Sequence, residues 1–273
     1  MTSIPSYVLG STDTEHERLI RQAAIFDPFS EQLFRDAGIG PGQRVLDIGA
    51  GLGDVSMLVA RLVGPSGGVV AVDNDASIIA KARDRVVKAG FQNVSFIESD
   101  VNDIPRSGLF DSIVGRLIIQ FLPDPDAAVK TLVSFLRPGG TLAVQDACWS
   151  PFLQLSADLP IRSKCATLIH QGFQRSGASV EMERVLYRTF RNAGLPSPTM
   201  KIDVPIGDDP GLTRWAYDLF CSVLPRMRQH NISVDAVGDI ATLRERLDAE
   251  LASTKMFAAT VGLVGAWSRK PVE

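Results

Sequence analysis

The segment RVLDIGAGLGD, residues 44–54, has the residues to bind a small molecule, with three glycines in five positions and an acid towards each end. The run before the glycines is apolar and suits a buried strand, and DVSMLVARLVG after them has the composition of a helix. A strand, a glycine turn and a helix form a corner at which unpaired backbone N–H groups can contact a ligand. The three glycines are Gly49, Gly51 and Gly53.

The charges of this loop favour one class of ligand over another. Asp47 ends the strand, and Asp54 stands in the first helical turn. Either carboxylate would repel a pyrophosphate, and the spacing is G-x-G-x-G where dinucleotide sites have G-x-G-x-x-G. The loop therefore predicts a zwitterionic or cationic ligand, and a nicotinamide-dependent oxidoreductase is the less favoured alternative. Asp54 also has a structural explanation, because acids in the first turn stabilise many helices.

Acids also end the next two predicted strands. Asp73 closes VVAVD, and Asp100 closes VSFIESD. A carboxylate at a neighbouring strand tip can accept two hydrogen bonds from a ribose diol, which suits Asp73, although this residue could instead cap the following helix. Asp100 can accept a hydrogen bond from an adenine amino group, and Asn74 and Val101 are placed to flank the adenine ring. Together these acids predict a nucleoside site.

Predicted strands and helices alternate along residues 42–147, a pattern typical of a parallel, doubly wound α/β sheet. Such sheets bind ligands beyond the carboxyl ends of their strands, where the glycine loop is placed. Before the sheet, one helix is predicted over residues 13–26, with Asp27 and Pro28 as its stop. A second, short helix is predicted to end at Gly38.

Past Ala147 the alternation breaks down. Residues 151–193 are predicted to be mostly helical, PTMKIDVPIG is predicted as a strand, and a further helical stretch follows. The final segment MFAATVGLVGAWSRK is predicted as one last, long strand. We expect the two helical stretches to fold together as a lid over the strand ends.

Five segments resemble the successive motifs of class I S-adenosylmethionine-dependent methyltransferases, in the right order and at typical spacings: RVLDIGAGLGD, VVAVDND, SFIESDVND, FDSIVGRL and LRPGGTLAV. They lie within residues 42–147, and they most resemble the quinone-biosynthesis-type small-molecule methyltransferases common in bacteria. The resemblance implies a Rossmann-like, mostly parallel seven-stranded sheet whose last strand runs antiparallel, with helical lid insertions.

The resemblance also implies a division of the chain into three kinds of segment. Residues 1–40 would form an N-terminal helical cover. The cofactor-binding core and the helical insertions that bind the acceptor would each be discontinuous. The core comprises 41–147, 179–206 and 255–273, and the insertions comprise 148–178 and 207–254.

The implied cofactor is S-adenosyl-L-methionine, which carries a sulfonium, an ammonium and one carboxylate but no phosphate; its product is S-adenosyl-L-homocysteine. By this resemblance the loop approaches the methionine end, Asp47 supports the ammonium, Asp73 takes the ribose hydroxyls, and Asp100 with Val101 takes the adenine. The implied cofactor-binding residues are Tyr7, Asp47, Gly49, Ala50, Gly51, Gly53, Asp73, Asn74, Asp100, Val101, Arg116 and Leu117.

Three of these residues have roles that depend more on the resemblance than on their chemistry. Tyr7 corresponds to a position that closes over the methionine moiety. Arg116 and Leu117 follow the fourth strand and would line the site near the transferable methyl group. An ion-pair partner inside the fold is the alternative role for Arg116.

The implied reaction is methyl transfer to a small, largely apolar or aromatic metabolite, with oxygen as the favoured acceptor atom and carbon or nitrogen still open. Asp146, at the end of the fifth strand, and His170, in a lid segment, are the candidate general bases. A loop cap and an ordinary, partly exposed histidine are the structural alternatives. Methyltransferases that act on the amines of nucleobases carry an Asn-Pro-Pro-Tyr-type motif after the fourth strand, where this chain has GRLIIQF, so the sequence argues against a base amine as the acceptor. No residue spacing predicts a metal site.

The charge and composition of the chain limit the binding partners that we expect for it. A net charge of −3 and a pI of about 5.7 argue against nucleic acid and anionic membranes. The cysteines form no C-x-x-C pair, no signal peptide or membrane span is evident, and we expect a reduced, cytoplasmic protein of bacterial secondary metabolism. The expected partner is a small-molecule acceptor, with a homodimer possible. A non-catalytic regulatory subunit that binds S-adenosylmethionine remains an alternative.

Overall fold

A computed structural model of the chain describes residues 12–272, and a seven-stranded sheet runs through this part. The strands within it are β1 (Arg44–Ile48), β2 (Gly68–Asp73), β3 (Val94–Glu98), β4 (Phe110–Arg116), β5 (Leu136–Cys148), β6 (Thr199–Asp203), β7 (Ile206–Gly207), β8 (Ala258–Ala259) and β9 (Gly262–Arg269). The α-helices described are α1 (Asp13–Asp36), α2 (Asp54–Val63), α3 (Ala76–Lys88), α4 (Pro125–Phe135), α5 (Trp149–Leu155), α6 (Pro160–Arg175), α7 (Met182–Asn192), α8 (Pro210–Gln229) and α9 (Leu243–Ala252).

The strand order of the sheet is β3-β2-β1-β4-β5-β9-β6, and β7 pairs separately with β8. The first five strands are parallel, with β1 between β2 and β4. The last strand, β9, runs against β5, because Gly139 and Gly140 at the start of β5 exchange backbone hydrogen bonds with Lys270 just beyond the end of β9. The predicted mostly parallel sheet with an antiparallel last strand is therefore confirmed. The chain builds the sheet outward from β1, to β2 and β3 on one side and to β4 and β5 on the other. Sheets of this kind bind ligands at the point where the strand order reverses in this way, which here is β1.

The described chain groups into two compact units. The helical unit contains the residues up to Ile25 together with Ala147–Glu181 and Asp203–Leu263. The sheet unit contains Phe26–Asp146, Met182–Ile202 and the residues from Val264 onward. The predicted roles of these segments, a cofactor core and acceptor-binding insertions, stay predictions.

Close packing holds each unit together. In the helical unit α6 packs along α8, and Gly172 leaves the space that the Val223 side chain fills. In the sheet unit, a Cβ built on Gly265 of β9 would lie 2.5 Å from the Leu33 side chain of α1, so helix and sheet are in direct contact there. Both glycines serve packing, because any larger side chain would overlap a buried neighbour.

The predicted break between two N-terminal helices was wrong. One helix, α1, continues through Pro28, which lacks the N–H that an unbroken helix would use at that position. An interior proline costs about 3 kcal/mol, whereas burying each large apolar side chain stabilises by about 1.5–3 kcal/mol. Phe26, Leu33 and Phe34 are all fully buried on this helix, so burial on both sides of the proline outweighs its cost.

The predicted strands of the last third also differ from the structure. PTMKIDVPIG forms two strands, β6 and the two-residue β7, with Val204 and Pro205 between them. The long final strand is likewise divided into β8 and β9. Thr260, between them, donates its N–H to the Pro205 carbonyl at 3.1 Å, so both breaks meet at one point in the helical unit. In the part of the chain that the structure describes, no helix is long and apolar enough to cross a membrane.

We predict that Gly172→Ala lowers the free energy of unfolding by about 1–3 kcal/mol, because the added methyl group overlaps Val223. Alanine is more favourable than glycine inside a helix by about 1 kcal/mol. If the contact with Val223 were unimportant, Gly172→Ala would therefore raise the free energy of unfolding. Urea unfolding measures the change. Gly40→Ala, outside the helices, is the control for an added methyl group without overlap, since a Cβ there meets no described atom within 4 Å. A double variant with Val223→Ala should recover stability, and additive losses would contradict the packing argument.

Candidate cofactor-binding site

The glycine loop is joined to the tip of β2. The N–H of Gly51 donates to Oδ2 of Asp73 at 2.8 Å, and the N–H of Ala50 donates to the Val72 carbonyl at 2.9 Å. The parallel register places Ile48, the last residue of β1, opposite Val72. The structure therefore brings together the glycine loop and Asp73, which lie more than 20 residues apart in the sequence.

The three loop glycines all have left-handed backbone angles, but each leaves room for something different. A Cβ on Gly49 would lie 2.7 Å from the side chain of Ile118, and a Cβ on Gly53 would lie 3.5 Å from side chains of α3. A Cβ on Gly51 would meet no atom of residues 12–272 within 4 Å. Packing thus requires glycine at Gly49, whereas Gly53 depends on its left-handed backbone angle, and Gly51 is the position beside which no described residue fills the space.

Asp73 does not cap the helix that follows it. That cap is Asp75, whose Oδ1 accepts the N–H groups of Ser77 and Ile78. Asp73 instead accepts from Gly51, and its Oδ1 accepts from the Asp75 N–H at 3.1 Å. Burial raises the pKa of Asp73, and these N–H donors oppose that rise. Each carboxylate oxygen has two lone pairs, so Asp73 can accept further bonds from a diol.

Asp47 is buried beneath the loop. Its Oδ2 accepts a hydrogen bond from the Ser56 hydroxyl at 2.6 Å. Its Oδ1 is buried and has no hydrogen-bond partner among the described residues. Burial raises the pKa of Asp47 to about 7, with the Ser56 hydroxyl and Arg116 opposing the rise. An unpaired buried carboxylate oxygen is costly, and a positively charged ligand group would remove that cost.

The second loop acid, Asp54, does not repel a ligand in the way that the sequence implied. Arg85 of α3 forms a two-point ion pair with it, at 2.7 and 3.1 Å, and also donates to the Leu52 carbonyl at 2.5 Å. The guanidinium neutralises Asp54 and ties α2 to α3. Because burial also raises the pKa of Asp47 to about 7, the expected electrostatic discrimination against pyrophosphate depends chiefly on Asp73.

The residues predicted to hold the adenine follow β2 and β3. Asp100 uses Oδ1 to accept the backbone N–H and the side-chain amide of Asn102, at 2.8 and 2.9 Å. Val101 is buried, whereas Asn74 is exposed. The Asp100 side chain thus shapes the turn in which Val101 sits. A contact of either residue with adenine stays a prediction.

At the end of β4, Arg116 takes the ion-pair role that was its structural alternative. Its Nη1 lies 2.8 Å from Oδ1 of Asp27 and 3.0 Å from the Ser30 hydroxyl. Ser30 in turn donates to Oε1 of Gln145 at 2.6 Å. The network links α1 to the ends of β4 and β5. Leu117 next to it has a left-handed φ of 56°, unusual for a residue with a side chain, and its N–H donates to the Gln145 carbonyl at 2.7 Å.

Asp146, a candidate base, is fully buried in the sheet unit. Its Oδ1 accepts the N–H of Gln120 at 3.3 Å, in the loop that follows β4. Burial raises its pKa to about 8, against the effect of the N–H groups of Gln120, Ile119 and Ile118. These contacts show a carboxyl group that holds the loop after β4. Its role as a base stays a prediction.

His170, the other candidate base, belongs to the helical unit. Its ring lies edge-on to Trp149, with the centroids 5.7 Å apart, and burial lowers its pKa. The structure therefore places the two candidate bases in different units. Tyr7 lies outside the described residues. Among residues 12–272, no group of three or more His, Cys, Asp or Glu side chains could hold a metal ion.

Sequence reasoning missed three residues that shape the site. Ser56 is a single hydroxyl on the otherwise apolar buried face of α2, a pattern that could have indicated a partner for Asp47. Arg85 was assigned to the outer face of α3, and no local signal distinguishes it from its charged neighbours. Ile118 packs against the Cβ positions of both Gly49 and Gly115, a contact that only the pairing of β1 with β4 creates.

Comparison with known proteins agrees with this geometry. Residues 39–194, more than half of the chain, match the Methyltransf_31 family model of a methyltransferase domain. The chain is 32% identical over 171 residues to the ubiquinone/menaquinone biosynthesis C-methyltransferase UbiE of Teredinibacter turnerae, covering 58% of this chain and 69% of that protein. It is 37% identical over 110 residues to UbiE of Pseudomonas paraeruginosa, covering 40% of this chain and 43% of that protein. The chain thus spans less than half the length of the Pseudomonas relatives it matches.

A solved structure shows the same fold. Phosphoethanolamine N-methyltransferase 2 of Haemonchus contortus, in complex with S-adenosyl-L-methionine, has a TM-score of 0.51 and 18% sequence identity, over 88% of this chain and 51% of that chain. At this identity the likeness concerns the fold alone.

The chain belongs to the family of S-adenosylmethionine-dependent methyltransferases. Within that family it resembles the UbiE group, as its sequence motifs predicted. The cofactor of the family is S-adenosyl-L-methionine, so the predicted cofactor is confirmed. Neither the nicotinamide-dependent alternative nor the regulatory-subunit alternative has support from these comparisons.

We predict that Asp73→Ala weakens S-adenosyl-L-homocysteine binding by about 2 kcal/mol or more, about 30-fold, because charge-assisted hydrogen bonds are lost. Isothermal titration calorimetry measures the dissociation constant. Asp54→Asn is the matched control, since that carboxylate stands at the same loop but is neutralised by Arg85. It should change affinity by no more than a few-fold, and equal losses in both variants would exclude a specific role for Asp73.

We also predict that the stability of the unliganded protein falls as the pH rises from about 4 to about 7. Asp47 and Asp146 have folded-state pKa values of about 7 and about 8, against 3.8 ordinarily, so in this window the folded chain keeps protons that the unfolded chain has released. In the middle of this window, each group contributes a loss of about 1 kcal/mol per pH unit, and less towards its ends. Asp47→Asn should flatten the slope measured by urea unfolding, and the exposed Asp158→Asn should leave it unchanged. An identical slope in Asp47→Asn would show that Asp47 is ionised when folded.

Proposed function

We propose that this chain transfers a methyl group from S-adenosyl-L-methionine to a ring carbon of a small, electron-rich aromatic acceptor of the phenol or quinol class. Membership in the methyltransferase family and the C-methyltransferase activity named for its UbiE relatives support the proposal. The single observation of the site that carries its cofactor part is the space beside Gly51, next to the Asp73 carboxylate, which no residue of 12–272 fills.

The residues of the site suit the cofactor. The Gly51 backbone would approach its methionine part, and the unpaired Oδ1 of Asp47 would accept from its ammonium group. Asp73 would accept from the ribose hydroxyls, and Val101 would contact the adenine. When bound, S-adenosyl-L-methionine supplies a methyl group that its positive sulfonium has already activated. The protein has to hold the acceptor in line with that methyl group and exclude water.

The acceptor atom is the point at which the proposal departs from the sequence-based expectation. Sequence alone favoured oxygen, whereas the activity named for the relatives is methylation at carbon. A phenol or quinol could be methylated at either atom, because loss of its hydroxyl proton makes both the oxygen and the adjacent ring carbons nucleophilic. Carbon methylation also requires the ring proton to leave, so a base is needed at two points.

His170 and Asp146 remain the proposed bases, and their surroundings differ. Burial keeps the His170 imidazole neutral near pH 7, so one ring nitrogen can accept a proton. Asp146 is fully buried and holds the loop after β4, which leaves it less able to reach an acceptor. Of the two, His170 is better suited to take the hydroxyl proton.

We predict that the purified protein, incubated with isotopically labelled S-adenosyl-L-methionine and a panel of quinols, phenols and thiols, methylates quinols or phenols at ring carbon. Mass spectrometry and proton NMR separate an aryl-methyl product from a methyl ether. Asp73→Ala is the control for transfer that depends on the site. Methyl ethers as the sole products would overturn carbon as the acceptor atom, and transfer only to thiols would overturn the acceptor class.

A further inference from the structure

The helical unit contains a cluster of aromatic side chains around Trp149, the first residue of α5. The Trp149 ring lies with its centroid 4.9 Å from that of Phe173 and 5.7 Å from that of His170, both on α6. Phe152, one turn further along α5, has its ring centroid 6.5 Å from Trp149 and 5.4 Å from Trp215 of α8. The cluster thus joins α5, α6 and α8 through ring contacts.

The two tryptophans of this cluster differ in one respect. The indole N–H of Trp215 donates to Oε1 of Gln22 at 3.0 Å. The indole Nε1 of Trp149 is buried, yet it has no hydrogen-bond acceptor among residues 12–272. Trp149 is only 2% exposed, so solvent does not supply the missing acceptor at the surface. Buried indole N–H groups usually find a partner, and one without a partner destabilises the fold.

A second polar group on the same helix face is also unpaired. Ser156 follows α5 two turns after Trp149, is fully buried, and has a hydroxyl oxygen without a hydrogen-bond partner in the described residues. The face between them carries Phe152, which is fully buried. An otherwise apolar face therefore bears two unsatisfied polar groups.

His170 adds a third polar group with suitable chemistry. It is half-buried and in ring contact with Trp149, and its lowered pKa leaves the imidazole neutral near pH 7. A neutral imidazole has one donor and one acceptor nitrogen, so it can share a proton with a hydroxyl group. Aromatic rings, one unpaired N–H and one neutral imidazole together form the kind of surroundings that an oxygen-bearing aromatic ring would satisfy.

We propose that Trp149 is an acceptor-recognition residue, whose indole N–H donates a hydrogen bond to a ring oxygen of a phenol- or quinol-class acceptor held against Phe173 and His170. This inference rests on the proposed function for the identity of the acceptor class, but the binding it describes does not require methyl transfer. The oxygen on the ring of the bound molecule would accept the hydrogen bond that the Trp149 indole N–H otherwise lacks. The neighbouring aromatic side chains would pack against the apolar part of that molecule.

The test uses the indole signals of the full-length protein. The chain has three tryptophans, Trp149, Trp215 and Trp267, so ¹⁵N-tryptophan labelling yields three indole N–H signals that single Trp→Phe variants assign. The probe is 1,4-naphthohydroquinone under anaerobic conditions, and 1-methylnaphthalene is the probe of similar shape that lacks oxygen. We expect the Trp149 signal to move downfield with the hydroquinone and to show no such downfield shift with 1-methylnaphthalene.

Trp149→Phe and Trp215→Phe form a matched pair, since each loses the same ring volume from the same cluster. Trp149→Phe should raise the dissociation constant for the hydroquinone about 2- to 10-fold, the value of one neutral hydrogen bond. Trp215→Phe should leave that constant within about twofold. It should also unfold at a lower temperature than Trp149→Phe, because only Trp215 loses an existing hydrogen bond, the one to Gln22.

Several results would overturn the inference. They are the absence of hydroquinone binding, an unmoved Trp149 signal at saturation, and equal affinities in Trp149→Phe and the wild type. Failure of the proposed function looks different: the hydroquinone binds and moves the Trp149 signal, but no methyl group is transferred from S-adenosyl-L-methionine. Conversely, transfer with an unchanged acceptor KM in Trp149→Phe would refute this inference and leave the methyltransferase assignment intact.

Discussion

The hydrogen bond from the Gly51 N–H to the Asp73 carboxylate is the contact on which the proposed cofactor site depends. It fixes the glycine loop of β1 against the tip of β2, and it leaves lone pairs of the same carboxylate available for a ligand. The loop keeps its shape because its three glycines adopt left-handed backbone angles and because Gly49 leaves room for the Ile118 side chain. Gly51 is the glycine proposed to face a ligand.

Buried polar groups without partners occur in both units. In the sheet unit, Asp47 Oδ1 and Asp146 Oδ2 have no hydrogen-bond partner within the part of the chain that the structure describes, and in the helical unit the same holds for the indole of Trp149 and the hydroxyl of Ser156. Folded proteins satisfy most buried polar groups, so each of these groups needs an explanation. In the proposed function, a zwitterionic cofactor and an oxygen-bearing methyl acceptor would bring the complementary atoms.

Electrostatics alone would have been a poor guide to the ligand. The acid that the sequence places closest to the helix N-terminus, Asp54, is neutralised by Arg85, and burial keeps Asp47 protonated up to about pH 7. The carboxylate with the clearest opening to a ligand is Asp73. Charge counted along a sequence overstates the charge that a ligand meets, because partners from distant segments and burial both reduce it.

The sequence by itself determined the order of strands and helices in the first half, the glycine loop, the acids at three strand tips and the family. These features are local: each depends on periodicity, on glycine, or on a residue at a strand end. Only the tertiary structure decided the continuous helix through Pro28, the divided strands of the last third and the ion pair of Arg116 with Asp27. Their energies come from burial and from partners far apart in the chain, and no local pattern encodes those contacts.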